Sequence, residues 1–159
     1  MTDFRLTIPG DPVSWQVYTK QGPEPIGVQK KNAWQDQIRF YLRAAWQQEP
    51  LEGPVTLDCD FFLPWLSSAP QKRTAAIKKF HAEQLVKKPD LDNLKKAFSD
   101  ACEGILFHGD QQIVGGEPRK HLLSPDIYKD PFKGYTEIRF RPYGEPEPTG
   151  LDAQGGNDV

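Results

Sequence analysis

The sequence predicts an α+β domain, a small mixed β-sheet of about four strands with two or three α-helices packed on it. Segments that alternate apolar and polar residues indicate strands, and segments with apolar residues three and four apart indicate amphipathic helices. These segments follow one another in the order β-α-β-(α)-α-β-β. The length of 159 residues suits one domain.

The first part of the chain predicts a helix between two strands. Residues 4–8 alternate and then meet a Pro-Gly pair, which ends a strand sharply. Residues 9–27 are rich in Pro and Gly, so we expect an irregular loop there. Residues 30–47 carry one apolar stripe and predict a helix. Residues 55–61 alternate again and predict the second strand.

The second part of the chain predicts two helices and two strands. Residues 70–86 indicate a basic helix. A clearer helix opens at Pro89-Asp90-Leu91-Asp92 and ends near Gly104, a residue type typical of helix C-termini. Residues 112–122 contain a strand that bends at Gly115-Gly116, and residues 135–140 alternate strictly.

Charge is distributed unevenly along the chain. We expect a folded domain over residues 1–141 and a disordered acidic tail over residues 142–159. The tail holds four of the 22 acidic residues and none of the 20 basic ones, so the body has a small positive excess. Residues 70–96 hold eight basic residues against three acidic ones, which fits either a surface that attracts a polyanion or a solvated helical face.

Several classes of protein are disfavoured. No apolar run approaches the roughly 20 residues of a membrane span, and the N-terminus does not resemble a signal peptide, so we expect an intracellular, cytoplasmic protein with no membrane partner. Cys59 and Cys102 form no CxxC pair, and the three histidines show no zinc-ligand spacing with them. We expect both thiols to be reduced and partly buried, and we expect no organic cofactor.

The chemistry is expected around Asp90, Asp92, Lys96, Asp100 and Asp110. A proline before Asp-x-Asp gives an extended approach to the helix, so two carboxylates can point the same way. With roughly 100° per residue, Lys96 lies about 40° and Asp100 about 80° around the helix from Asp92, away from the apolar stripe. Asp110 follows a glycine, and a chain returning from the helix can bring it back to the Asp90/Asp92 end.

Clustered carboxylates repel one another unless a cation joins them, and Mg²⁺ prefers such hard oxygen ligands. A lysine beside the cluster adds a positive charge for a phosphate. A structural interpretation also stays open, because Asp favours helix N-caps and Asp92, Lys96 and Asp100 have the spacing of an i,i+4 ion-pair ladder. A calcium loop fits poorly, since Leu94, Lys95 and Ala101 occupy positions where it needs a ligand, a glycine and a glutamate.

The motif resembles one protein family in detail. It reads Lys88-Pro89-Asp90-Leu91-Asp92-Asn93-Leu94-x-Lys96-x-x-x-Asp100-Ala101, followed by Asp110-Gln111-Gln112-Ile113. This is similar to the RusA family of crossover-junction endodeoxyribonucleases, whose pattern is D-x-D-N-L-x-K-x-x-x-D-A and then D-D-x-Q-[IV]. The close match spans residues 88–113, and a looser one extends over much of residues 3–141.

The resemblance implies a role for each matching residue. Asp90, Asp92 and Asp110 match the acidic metal-binding and catalytic positions, Lys96 matches the functional lysine, and Asp100 matches a further acidic position. It also implies a homodimer that uses Mg²⁺, with Mn²⁺ as an alternative ion. Such a dimer nicks four-way (Holliday) DNA junctions symmetrically during recombination and repair, and two equivalent active sites suit a two-fold junction.

Two features depart from the family pattern. The paired acidic residues of the family are Gly109-Asp110 here, so one carboxylate is missing. The loop at residues 12–20 lacks the basic run that family members often carry after an early Pro-Val turn. We therefore expect DNA contacts from Lys87, Lys88 and Lys95, with the basic residues of 72–79, Arg119 and Lys120 as further candidates.

Aromatic residues allow two interpretations. Trp34 and Trp46 fall on a helical apolar stripe and are predicted to be core residues. Trp15 and Trp65 lie in Pro-rich surroundings, where they either pack or stack on an opened junction base.

The leading hypothesis is a metal-dependent junction-resolving endonuclease. A junction-binding protein with little catalysis is the alternative that Gly109 motivates. A nuclease for flaps or other branched DNA is the third possibility.

Overall fold

A computed structural model of the chain describes residues 3–13, 26–66, 69, 74–87 and 89–144. The described part contains five β-strands, three α-helices and one 3-10 turn. In chain order these are β1 (Phe4–Pro9), α1 (Ile26–Ala45), β2 (Val55–Leu63), α2 (Thr74–Leu85), α3 (Leu91–Cys102), the 3-10 turn (Asp110–Gln112), β3 (Ile113–Gly115), β4 (Pro118–Leu122) and β5 (Tyr135–Pro142).

The predicted α+β class with a mixed sheet is confirmed. The structure has five strands because the region predicted as one bent strand divides into β3 and β4. Gly116 lies at the division with φ of 95°, and a Cβ there would overlap the backbone of Leu57. Only glycine meets both conditions without strain, so the bend is built into the sequence. The helix α1 begins four residues earlier than the predicted residue 30.

The strand β2 lies at the centre of the sheet. One edge of β2 pairs antiparallel with β5, and β5 in turn pairs antiparallel with β1. The other edge of β2 pairs in parallel with β3 and then with β4. The parallel pairing returns the chain to the sheet after the long excursion through α2 and α3, which is how the residues following α3 reach the central strand.

One face of the sheet is buried beneath α1 and α3. The alternate β2 residues Val55, Leu57, Cys59 and Phe61 are at most 1% exposed and face this core. Trp34 and Trp46 are also core residues, as predicted. Both cysteines are buried free thiols, and burial raises their pKa above its ordinary value. They are therefore packing residues.

The remaining predictions concern Trp65, Trp15 and the C-terminal tail. Trp65 is 2% exposed and packs with Ile77 and Leu122 in a smaller cluster under α2, so it has a packing role in the structure. Trp15 and residues 145–159 of the predicted tail lie outside the described residues, whereas Pro142, where the tail was predicted to begin, is the last residue of β5 and pairs with Val55. No helix among the described residues is long and apolar enough to cross a bilayer.

Candidate active site

The helix α3 presents a polar face because its opposite face is fully buried. Leu94, Phe98 and Ala101 have no exposed surface, and they fix the rotation of the helix against the sheet. Asp92 and Lys96, which lie away from this stripe, are exposed on the helix surface. The predicted polar ridge is therefore a consequence of core packing.

Asp90 occupies the N-cap position of α3, but its side chain does not cap the helix. Its backbone is extended, with φ of −68° and ψ of 142°, and its carbonyl oxygen accepts a hydrogen bond from the Leu94 amide at 3.1 Å. No capping hydrogen bond to its carboxylate is present. Asp90 is therefore the N-cap residue by its backbone conformation. Its exposed carboxylate is not used to cap the helix.

Asp110 returns towards α3 by way of a tight turn after the helix. The chain passes Gly104, which has φ of 82°, and reaches the 3-10 turn that begins at Asp110. The side chain of Gln112 fixes this turn: its Oε1 accepts hydrogen bonds from the amides of His108 (2.7 Å) and Gly109 (3.0 Å). Its Nε2 donates to the carbonyl of Leu51 at 2.8 Å, so the turn is tied to the loop before β2.

A pocket of about 320 Å³ brings several of the predicted residues together. Two carboxylates and two ammonium groups share it, and the remaining lining is small or apolar. Its lining consists of Asp92, Lys95, Lys96, Ser99, Asp110 and Ile113. Asp92, Lys95 and Lys96 come from α3 and Asp110 comes from the 3-10 turn, so a phosphate together with a bound cation would meet charges of both signs here.

A second carboxylate group lies beside this pocket. Oxygen atoms of Asp100, Glu103 and Asp110 all lie within 4.8 Å of one another. The amide of Asp110 also donates a hydrogen bond to Oε1 of Glu103 at 3.1 Å. Burial raises the pKa of the Asp100 carboxyl; the nearby Lys96 ammonium lowers it and the Asp110 carboxylate raises it further. The cluster holds like charges close together, which is costly until a cation or proton joins them.

The donor atoms in this region suit a divalent metal ion. Asp110 belongs both to the pocket shared with Asp92 and to the group with Asp100 and Glu103. All of these side chains offer carboxylate oxygens, the hard donors that Mg²⁺ and Mn²⁺ prefer. The residues present therefore fit a metal of this class.

Some of the predicted site residues lie at the pocket, and others lie elsewhere. Asp92, Lys96, Lys95 and Asp110 meet at the pocket, whereas Asp90 lies at the start of α3 and is not among the residues that line it. Asp110 lies beside the carboxyl-terminal end of α3, with carboxylate oxygens within 4.8 Å of Asp100 and Glu103, and among the described residues neither Asp90 nor Asp92 belongs to that group. Lys87 is exposed on the connection between α2 and α3, and Lys88 lies outside the described residues.

Sequence reasoning missed Glu103 and gave no role to Gln112. A signal for Glu103 was available, because it follows Asp100 by three residues and so falls on the same helical face. Gln112 was part of the recognised motif, but its hydrogen bond to Leu51 spans 61 residues and no local spacing indicates it.

Of the other basic candidates for DNA contact, Lys78 and Lys79 are exposed on α2, residues 72 and 73 lie outside the described residues, and Arg119 and Lys120 have partners within the protein. Arg119 forms ion pairs with Asp60 at 3.6 Å and with Glu117 at 3.5 Å. Lys120 donates to backbone carbonyl oxygens of Lys87 and Pro89. These contacts reduce the case for either residue as a phosphate ligand.

Comparison with known families identifies the family of the chain. A family model described as endodeoxyribonuclease RusA matches residues 9–127, which is most of the chain and includes every candidate residue named above. No curated protein matches the chain.

Proposed function

Since the chain belongs to the RusA family of endodeoxyribonucleases, we propose that it is a metal-dependent enzyme that resolves four-way DNA junctions by paired nicks, in DNA recombination and repair. The observation that carries this proposal is the meeting of Asp92, Lys96 and Asp110 at one pocket. Asp92 and Lys96 lie on α3, whereas Asp110 lies on the 3-10 turn. A surface ion-pair ladder along one helix does not require a residue from that turn.

Asp90, Asp92 and Asp110 are the proposed metal ligands, with Mg²⁺ as the ion and Mn²⁺ as a substitute. Asp100 and Glu103 lie within 4.8 Å of Asp110 and are further carboxylates within reach. When bound, such an ion lowers the pKa of a coordinated water and stabilises charge on a phosphoryl oxygen. The carboxylates themselves hold the ion and orient it against the Lys96 side of the pocket.

Basic residues on and before α3 are proposed to hold the DNA. Lys96 places a positive charge in the same pocket as the carboxylates, where it stabilises the scissile phosphate or the leaving oxygen. Lys95 lines the pocket beside it, and Lys87 is exposed on the preceding connection. Lys87, Lys88 and Lys95 are the proposed phosphate contacts, so binding should weaken steeply as salt rises.

The proposed assembly is a homodimer. A four-way junction has two-fold symmetry, and two nicks placed symmetrically on it need two equivalent pockets. Each subunit contributes one copy of Asp92, Lys96 and Asp110 to such a pocket. Sedimentation of the protein alone and of its junction complex measures the number of subunits directly.

The decisive experiment replaces Asp92 with asparagine. Asp92→Asn keeps the shape and exposure of the side chain but removes the charge, so we expect cleavage of a labelled four-way junction with Mg²⁺ to be lost while binding persists in a gel-shift assay. Asp36→Asn is the matched control, because Asp36 is an exposed residue of α1 that pairs only across the helix surface with Arg39. Undiminished cleavage by Asp92→Asn contradicts the proposed metal site.

A junction-binding protein with weak catalysis is the second candidate. Gly109 favours it, because the family pattern has an acidic residue at that position. Tight gel shifts without nicks, in Mg²⁺ and Mn²⁺ and over several junction sequences, would support this candidate. Flaps and other branched DNA in the same assay test whether the four-way junction is the preferred substrate.

A further inference from the structure

The connection between α2 and α3 is short, and a lysine from the sheet holds it. Lys120 lies on β4 and pairs in register with Phe61 of β2. Phe61 is fully buried, so the Lys120 side chain leaves the strand on the core face of the sheet. Its ammonium reaches the connection and donates to the carbonyl oxygens of Lys87 at 3.0 Å and of Pro89 at 3.1 Å.

These two carbonyl groups belong to residues that come just before Asp90, the first aspartate of the motif. Pro89 directly precedes Asp90 and has no N–H group, so the backbone here cannot form a hydrogen-bonded turn through that residue. The Lys87 amide donates to Gln84 at the end of α2, and the Asp90 carbonyl accepts from Leu94 in the first turn of α3. Lys120 therefore binds two of the backbone carbonyl groups that lie between these two helix ends.

The carboxylate of Asp90 depends on this backbone for its direction. Its side chain makes no capping hydrogen bond that would orient it from α3. An ammonium group has three donors, and two of those of Lys120 are used on the carbonyls, which leaves little capacity for a DNA phosphate.

We infer that Lys120 is a positioning residue that fixes the backbone from which the Asp90 carboxylate projects, and that it is not a phosphate ligand. This inference rests on the proposed function, in which Asp90 binds the metal. A residue that orients a ligand from behind alters metal affinity, whereas a residue that binds phosphate alters the salt dependence of DNA binding. The two roles are therefore separable by measurement.

The test compares Lys120→Met, Lys120→Arg and Lys129→Met with the wild-type protein. Methionine keeps the apolar stem of Lys120 and removes its donors, while arginine retains donors for the carbonyls. Lys129 is an exposed lysine elsewhere on the surface, so Lys129→Met controls for the loss of one charge. Mn²⁺ affinity is measured by calorimetry, and junction affinity is measured in EDTA over a range of salt concentrations.

We expect Lys120→Met to weaken Mn²⁺ binding about tenfold, in the range usual for residues behind a metal ligand. Lys120→Arg should recover most of that loss, and Lys129→Met should resemble the wild type. The slope of log junction affinity against log salt should be the same for all four proteins. The melting temperature is recorded for each variant, so that only folded protein enters the comparison; if Lys120→Met does not fold, Lys120→Leu, which also lacks donors, replaces it.

Three outcomes overturn the inference. A salt slope reduced by about 0.9 with unchanged Mn²⁺ affinity identifies Lys120 as a phosphate ligand. A lower melting temperature with unchanged Mn²⁺ affinity and slope identifies it as a stabilising residue alone. If the wild-type protein binds no Mn²⁺ and cuts no junction, the proposed function fails and the inference fails with it, a result distinct from the first two.

Discussion

The side-chain nitrogen of Gln112 donates a hydrogen bond to the carbonyl oxygen of Leu51, 2.8 Å away, and so connects the turn that carries Asp110 to the loop before the central strand. The same nitrogen donates to Gly53 at 2.8 Å, and the oxygen of the amide accepts from His108 and Gly109. One side chain thus satisfies four backbone groups from two distant segments. The position of Asp110 against α3 depends on this connection.

Gln112→Ala should destabilise the protein and weaken its metal site together. Each of the four lost hydrogen bonds contributes about 1 kcal/mol, so we expect a loss on the order of 4 kcal/mol in the free energy of unfolding. Urea denaturation measures this loss, and calorimetry with Mn²⁺ measures the affinity. Gln111→Ala is the control, because Gln111 is the exposed neighbour in the same turn. Equal stability of the two variants would contradict the role given to Gln112.

The sequence predicts the parts of this site that depend on local spacing. The polar ridge of α3 follows from 100° steps around a helix whose buried stripe is plain in the sequence, and the bend at Gly116 follows from its glycine pair. The contacts of Gln112 with Leu51 and Gly53, and those of Lys120 with Lys87 and Pro89, join residues between 31 and 61 positions apart. Such contacts depend on the parallel pairing of β2 with β3 and β4, which no local pattern specifies.

Asp100→Asn should stabilise the metal-free protein at neutral pH. Burial raises the pKa of Asp100, so its protonated form is favoured in the folded state. The stability that this group contributes is complete below its unfolded pKa near 3.8 and is lost as the pH rises through the higher folded value. Asparagine stays neutral throughout, so the melting temperature of the variant should exceed that of the wild type at pH 7.

The pH dependence of the melting temperature separates the removal of the Asp100 charge from a general gain in packing, because a gain in packing does not depend on pH. The difference in melting temperature between Asp100→Asn and the wild type should shrink as the pH falls towards 3.8, because the raised pKa favours protonation of Asp100 in the folded state. Melting curves in EDTA between pH 4 and 8 measure it. A variant that is less stable than the wild type at pH 7 would show that the Asp100 carboxylate is held by favourable contacts instead.

Gly109→Asp should strengthen metal binding at the cost of metal-free stability. Gly109 has an extended backbone with φ of −155°, which any residue adopts, and a Cβ there would overlap the end of the exposed Gln111 side chain, which must move aside. The new carboxylate would stand beside Asp110, where it adds charge to a group that already includes Asp100 and Glu103. Because affinity for hard cations rises with the number of charged ligands, we expect a gain on the order of tenfold for Mn²⁺.

Calorimetry measures the Mn²⁺ affinity of the Gly109→Asp variant, and melting in EDTA should show a lower temperature than for the wild type. Gly109→Asn is the matched control, since it fills the same space without charge and should leave the affinity unchanged. Equal Mn²⁺ affinity of the Asp and Asn variants would place position 109 outside the metal site.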